Sequence, residues 1–169
     1  MSLIPDKNLF IITSSLKPNI GAFSDEMRFE QTARTLKSVR EKLPEAIILT
    51  ADCSARPLTD FEKKFISSHS NFFVDLSQEP TCKALSERGL KSLAENILLF
   101  NTIQALRNNP ETSRMMNSVK RIFKFSGRSV LKDDFDISEY DNLFGKFVFK
   151  RRIPTWMNDI RHDASHLLI

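Results

Sequence analysis

The chain has four glycines, two cysteines and no long apolar stretch in its 169 residues. It has neither a Walker-type lysine loop nor a Gly-x-Gly-x-x-Gly segment, which argues against a glycine-rich cradle for phosphates. Two cysteines without ligand spacing argue against a structural zinc site and predict free thiols in a reducing compartment. No apolar run approaches the roughly 20 residues of a membrane span, and the N-terminus lacks the pattern of a signal peptide. We therefore expect a cytoplasmic protein without a membrane span.

Tyrosine and tryptophan are also scarce, with one of each against 14 phenylalanines. Phenylalanine has no polar group, so this bias predicts core packing rather than a stacking platform for bases. Hydrophobic residues make up 41% and charged residues 27% of the chain, as in a globular domain. The net charge of +4 suits a partner that carries phosphates. We expect one domain over residues 1–169.

Short apolar runs alternate with segments of helical periodicity along most of the chain. The predicted strands are residues 8–13, 46–50, 72–76, 121–125 and 146–150, and the predicted helices begin after Ser24, Thr59, Gly89 and Asn109. Residues 80–89 are predicted as a loop with a short helical turn, and the helix over residues 90–107 as largely buried. The pattern indicates an α/β fold with a mostly parallel sheet and helices on both faces. The apolar end at residues 167–169 predicts a strand cut short, and hence a piece of a longer protein.

Ligands of open parallel sheets bind beyond the carboxyl ends of the strands, and polar residues follow three of the predicted strands. In the first candidate loop, residues 13–21, Thr13, Ser14 and Ser15 either offer hydroxyls and backbone N–H groups to a nucleotide or shape the turn. Asp52 either accepts hydrogen bonds from a base or ribose or caps the next turn. Residues 126–136 form the third candidate loop. The sequence leaves both alternatives open at Thr13, Ser14 and Asp52.

Asp134 and Asp136 form an Asp-x-Asp element in the third loop. Two carboxylates in this arrangement can hold Mn²⁺ or Mg²⁺ against a diphosphate, because these cations prefer oxygen ligands. The alternative is a solvated acidic loop. His162 and His166 are four residues apart, a spacing that would place the two imidazoles on one face of a helix. The basic stretch over residues 146–152 is predicted as a charged sheet edge rather than a site for nucleic acid.

Several segments together resemble a known family. They are residues 8–14, 28–39, 44–52, 89–95 and 122–128, the last of which ends in a Lys-x-Ser-Gly-Arg element. Over residues 8–155 the chain resembles nucleotide-sugar-dependent glycosyltransferases of the GT-A type. The similarity is to the branch found with bacterial and phage surface-polysaccharide genes. It implies transfer of a sugar from a nucleotide sugar to a hydroxyl of a polysaccharide or glycan acceptor.

The resemblance also implies where the nucleotide sugar and its metal, Mn²⁺ or Mg²⁺, would be bound. The implied nucleotide-sugar residues are Thr13, Ser14, Arg28, Asp52, Lys91, Glu95, Lys124, Ser126, Gly127 and Arg128. Lys91 and Glu95 would face the site one helical turn apart, and Arg128 would neutralise the diphosphate. The sequence departs from the family at Ser129, where tyrosine is common. It also has no Asp-x-Asp at the expected strand end before the Ser-Gly-Arg strand.

Two other functions are compatible with the sequence. A non-catalytic α/β domain that acts in protein assembly would form a dimer through an apolar interface and would have no affinity for nucleotides. A nucleic-acid-binding module would use the basic stretch over residues 146–152, and its affinity would fall steeply with salt. The sequence argues against the second of these, because the topology around that stretch differs from that of an RNA-recognition module.

Overall fold

Four parallel strands form the central sheet of the computed structural model. The structure describes residues 7–19, 22–143, 146, 148–149, 153–157, 160–164 and 167–168, with only the backbone at 86, 91, 92 and from 148 onward. The strands are β1 (Lys7–Ser14), β2 (Ile47–Asp52), β3 (Phe72–Asp75) and β4 (Val119–Ser126). Their order across the sheet is β3-β2-β1-β4. The predicted α/β class with a parallel sheet is confirmed.

Five helices connect these strands, and several begin where the sequence predicts. They are α1 (Asp25–Lys42), α2 (Asp60–His69), α3 (Pro80–Glu87), α4 (Lys91–Asn108) and α5 (Pro110–Met116). The Ser24 hydroxyl accepts a hydrogen bond from the backbone N–H of Met27 at 3.3 Å. Thr59 and Glu62 form a complete capping box at the start of α2. These side chains bind the N–H groups that a first helical turn leaves without partners.

The two faces of the sheet are buried by different helices. Successive side chains of a strand point to opposite faces, so the apolar run of β1 supplies both. Phe10 and Ile12 pack in one cluster with Leu36 of α1. Leu9 and Ile11 pack in another with Leu106 of α4. The prediction of helices on both faces is therefore confirmed.

Two expectations about the segment before β4 are wrong. Residues 80–89 were expected to form a loop with a short helical turn, but Pro80 begins the eight-residue helix α3. The N–H of Leu90 donates to the carbonyl of Leu85 at 3.0 Å after the end of this helix. Gly89 adopts a φ of 71° there, as glycine does at helix ends. Helix α4 was expected to be largely buried, but it packs on the sheet along one side only. Its remaining apolar side chains stay exposed: Leu93 at 49%, Phe100 at 58% and Ile103 at 38%.

The C-terminal part forms two small antiparallel pairs of strands. Strand β5 (Val148–Phe149) pairs with β8 (Leu167–Leu168), and β6 (Ile153–Met157) pairs with β7 (Ile160–Ala164). His162 therefore lies in a strand, which rules out the helical spacing with His166, a residue outside the described part. Most of the basic stretch, residues 150–152, is likewise outside it. Among the helices that the structure describes, none has the length and apolar character that crossing a membrane requires.

Candidate functional site

A cavity of about 160 Å³ opens at the carboxyl ends of β1 and β4. The helix that follows β1 packs on one face of the sheet and α4 packs on the other, so the two neighbouring strand ends are left uncovered. The chain adds β2 and β3 on one side of β1 and then returns to add β4 on the other side. Open α/β sheets bind ligands at the point where the strand order reverses in this way. The lining residues are Thr13, Ser14, Ser15, Pro18, Asn19, Arg28, Thr32, Cys53, Ala94, Glu95, Leu98, Ser126, Gly127 and Arg128.

Seven of the ten nucleotide-sugar residues implied by the resemblance line this cavity. They are Thr13, Ser14, Arg28, Glu95, Ser126, Gly127 and Arg128. Lys124 lies behind the wall and contacts Glu95. Asp52 is not among the lining residues, and the side chain of Lys91 is outside the described part of the chain. The first turns of α1 and α4 thus meet the ends of β1 and β4 around one space.

Glu95 lines the cavity from α4, and two side chains donate hydrogen bonds to one oxygen of its carboxylate. The Thr13 hydroxyl donates a hydrogen bond to Glu95 Oε1 at 3.0 Å, and Lys124 Nζ donates to the same oxygen. Burial alone would raise the pKa of Glu95, but the bond and charge of Lys124 and the bond from Thr13 together lower it. The carboxylate is therefore charged at neutral pH. In the described residues both donors approach Oε1, which leaves Oε2 to accept a bond from a ligand hydroxyl.

Two arginines face the same cavity. The guanidinium of Arg28 lies over the ring of Phe23, 5.3 Å from its centre. Burial lowers the pKa of Arg28, and so does the nearby charge of Arg128. Arg128 is exposed, and within the described part of the chain its guanidinium has no hydrogen bond or ion pair. Arginine donates in a planar fork that matches phosphate and carboxylate oxygens, so this pair is suited to an anion.

Gly127 sits where the backbone of β4 meets the end of β1 and the side of α1. Its N–H donates to the carbonyl of Thr13 at 2.7 Å, and its carbonyl accepts from the Thr32 hydroxyl at 3.1 Å. A Cβ at this position would lie 2.9 Å from Thr32 Oγ1, 3.1 Å from Ser14 Cβ and 3.2 Å from the Thr13 carbonyl oxygen. Only glycine allows this close approach. The contact directs the following residue, Arg128, to the cavity.

The resemblance implies that Asp52 contacts the nucleotide, but Asp52 does not line the cavity. Its side chain is fully buried, and Oδ2 accepts from Ser14 Oγ at 2.6 Å and from the N–H of Leu16 at 3.1 Å. Oδ1 accepts from the N–H of Ser54 at 2.8 Å. The carboxylate thus ties the loop after β1 to the loop after β2. Burial raises its pKa against the opposing effect of these bonds. Of the two alternatives for Asp52, the structure supports the capping of a turn.

The Asp-x-Asp element does not reach the cavity. Asp134 and Asp136 are both exposed, and Asp136 Oδ1 accepts from the N–H of Ser138 at 2.9 Å at the start of a short 3-10 helix (Ile137–Tyr140). Among the residues that the structure describes, no three His, Cys, Asp or Glu side chains come together to hold a metal ion. Neither carboxylate lines the cavity, so the use of this pair for Mn²⁺ or Mg²⁺ at the nucleotide site stays a prediction.

Several residues that line the cavity were not predicted individually from the sequence. Thr32 lies one turn after Arg28 on α1, so the helical spacing would have placed it on the same side. Ala94 and Leu98 flank Glu95 on α4 in the same way and supply an apolar wall. Asn19 lies within the candidate loop that was predicted over residues 13–21, although no local signal singles out this residue.

Both cysteines are free and pack in one apolar cluster beneath the cavity. Burial raises the pKa of Cys53 to about 12, with a further effect of the Asp52 charge. Burial and a bond to Glu79 raise the pKa of Cys82 to about 12 as well. The reactive thiolate is then on the order of a thousandfold scarcer at pH 8 than for a free thiol.

We expect the folded protein to react with Ellman's reagent far more slowly than the denatured protein, in which both thiols react at once. The release of thionitrobenzoate at pH 8, with and without guanidinium, measures this difference. Prompt release of one equivalent from the folded protein would contradict the buried position of Cys53, which lines the cavity.

Comparison of the chain with protein-family models, with curated proteins and with solved structures yields no match. The likeness to glycosyltransferases therefore stays a prediction from the residues named above.

Proposed function

We propose that the cavity binds the diphosphate of a nucleoside-diphosphate sugar, and that the domain takes part in transfer of the sugar to a hydroxyl of a glycan acceptor. The observation that carries this proposal is the meeting of Arg28 and Arg128 with the polar strand ends at Thr13, Ser14 and Ser126. Cationic forks and hydroxyls at the carboxyl ends of parallel strands suit phosphate oxygens. The Ser-Gly-Arg turn of the resemblance is part of this arrangement.

The charged side chains of the cavity are suited to different parts of a nucleotide sugar. Departure of a nucleoside diphosphate leaves negative charge on its oxygens, and donors already in place for that charge favour the departure. Arg128 is such a donor. The Glu95 carboxylate accepts hydrogen bonds, which suits a ribose or sugar diol rather than a phosphate.

A thermal-shift screen with UDP, GDP, CMP, dTDP and their sugars, with and without Mn²⁺, tests the proposal. At a concentration one hundred times Kd, a ligand of the folded state adds about 2.7 kcal/mol, or roughly 5–10 °C in Tm for a domain of this size. We expect at least one nucleotide to give such a shift. Arg128→Ala is expected to weaken that nucleotide roughly 10- to 100-fold in calorimetry, because a charge-assisted hydrogen bond is lost.

Arg34→Ala is the matched control for Arg128→Ala. Arg34 lies on α1, is exposed and pairs with Glu30 at 2.5 Å, and it does not line the cavity. Its removal is expected to leave nucleotide affinity unchanged. Equal affinity in the Arg128→Ala and Arg34→Ala variants would refute the site.

The exposed apolar side chains of α4 favour the second candidate, a non-catalytic domain for protein assembly. Leu93, Phe100 and Ile103 leave 49%, 58% and 38% of their surfaces in solvent. Exposed apolar patches of this kind are frequent at protein interfaces. The absence of any nucleotide shift, together with a dimer in light scattering, would favour this candidate over sugar transfer.

A further inference from the structure

The cavity carries more positive than negative charge in the part of the chain that the structure describes. Arg28 and Arg128 line it, and the carboxylate that lines it, Glu95, is already paired with Lys124. The two guanidinium groups are close enough that, besides burial, the charge of Arg128 lowers the pKa of Arg28. Two like charges at one cavity repel each other until an anion lies between them.

A second observation at Arg28 points to a ligand. Its Nε is buried and has no hydrogen-bond partner among the described residues. A buried N–H group without an acceptor costs about 1–3 kcal/mol, and such groups are rare in folded proteins. The ring of Phe23 covers the guanidinium and cannot accept in the plane of the N–H groups. An oxygen of a bound anion would satisfy this donor once the guanidinium turns toward the cavity that Arg28 lines.

The oxygen donors of the cavity do not fit Mn²⁺ or Mg²⁺. These cations take about six oxygen ligands, usually with one or two carboxylates. Glu95 Oε1 is engaged by Thr13 and Lys124, and Asp52 is fully buried among its own donors. Asp134 and Asp136 lie elsewhere on the surface. The donor set of the cavity is thus cationic and hydroxylic.

We propose that Arg28 and Arg128 supply the counter-charge for a diphosphate, so that the cavity binds this group without a divalent cation. This inference rests on the proposed function for the identity of the natural ligand, a nucleotide sugar. Each guanidinium offers a fork to phosphate oxygens, and two forks match the two phosphates of a diphosphate. Arg28 contributes from α1 and Arg128 from the turn after β4, so the two donors belong to separate elements.

Titration calorimetry with inorganic pyrophosphate in EDTA tests the inference, because this probe contains the diphosphate alone. We expect binding in EDTA, and no gain in affinity beyond a few-fold when Mg²⁺ replaces EDTA. Arg28→Gln and Arg128→Gln should each reduce the affinity by about tenfold or more. Arg34→Gln is the control and should change nothing. If Arg28→Gln does not fold, Arg28→Lys keeps the charge, removes the fork and is expected to weaken binding as well.

The same titrations with nucleoside diphosphates separate this inference from the proposed function. Pyrophosphate binding in EDTA that both arginine variants weaken supports the inference, whether or not any nucleotide binds. If no nucleotide binds in that case, only the sugar-transfer function fails. Binding that needs Mg²⁺ or Mn²⁺, binding that neither arginine affects, or no binding of pyrophosphate in EDTA would each overturn the inference.

Discussion

Replacement of Gly127 by alanine is expected to lower the free energy of unfolding by about 1–3 kcal/mol, as added methyl groups do in packed sites. The new Cβ would lie 3.2 Å from the backbone oxygen of Thr13 and 2.9 Å from Thr32 Oγ1. The β4 end must then move away from β1, which shifts Arg128 relative to the cavity. We therefore expect nucleotide binding to fall together with stability. Urea unfolding and calorimetry measure the two effects.

Gly89→Ala is the matched control for Gly127→Ala. Gly89 has a φ of 71°, so alanine there costs about 1–2 kcal/mol through backbone strain. Gly89 does not line the cavity, so the loss of stability should leave the affinity for nucleotides unchanged. Normal stability and normal binding in Gly127→Ala would mean that Thr32 and Ser14 yield without cost, against the close packing described for this turn.

Replacement of Asp52 by alanine is expected to destabilise the protein by roughly 3–5 kcal/mol. The N–H groups of Leu16 and Ser54 and the hydroxyl of Ser14 lose their acceptor in a buried place, at about 1–3 kcal/mol for each group left without a partner. In a domain of this size that loss corresponds to a fall in Tm of roughly 10 °C. Differential scanning calorimetry measures it directly.

Asp75 offers a control at the same level of the sheet, because it is aligned with Asp52 on the neighbouring strand. Asp75 Oδ1 accepts from the N–H of Ser77 at 3.0 Å, and Oδ2 pairs with Lys63 at 3.0 Å. This side chain is partly exposed, so water can replace lost partners. We expect Asp75→Ala to cost less than half as much as Asp52→Ala. Equal losses would show that the burial of Asp52 is not the source of its effect.

Local signals in the sequence predicted most of the elements. Ser24, the Thr59–Glu62 pair and Asn109 before Pro110 each marked a helix start, because a cap depends only on neighbouring residues. The helix over residues 80–87 was missed, although a proline at its start and a glycine after its end are helix boundaries. The exposed side of α4 was also missed, because periodicity does not reveal how many neighbours a helix has.

The candidate site was predictable where it depends on strand ends and less so elsewhere. Thr13, Ser14 and Ser126 follow apolar runs, and parallel strands bring such ends to one edge of the sheet. Arg28 and Glu95 belong to helices, and the resemblance rather than any local pattern indicated them. The choice between a ligand contact and a cap for Asp52 stayed open, since both need a carboxylate after a strand.

The sequence alone determined the alternation of strands and helices and the polar strand ends, because these follow from residue periodicity and from contacts between near neighbours. Tertiary structure decided the order β3-β2-β1-β4, which makes β1 and β4 adjacent and opens the cavity between them. It also buried Asp52 and brought Arg28 close to Arg128. Burial and the meeting of distant charges depend on how the helices pack on the sheet, which no local stretch of sequence encodes.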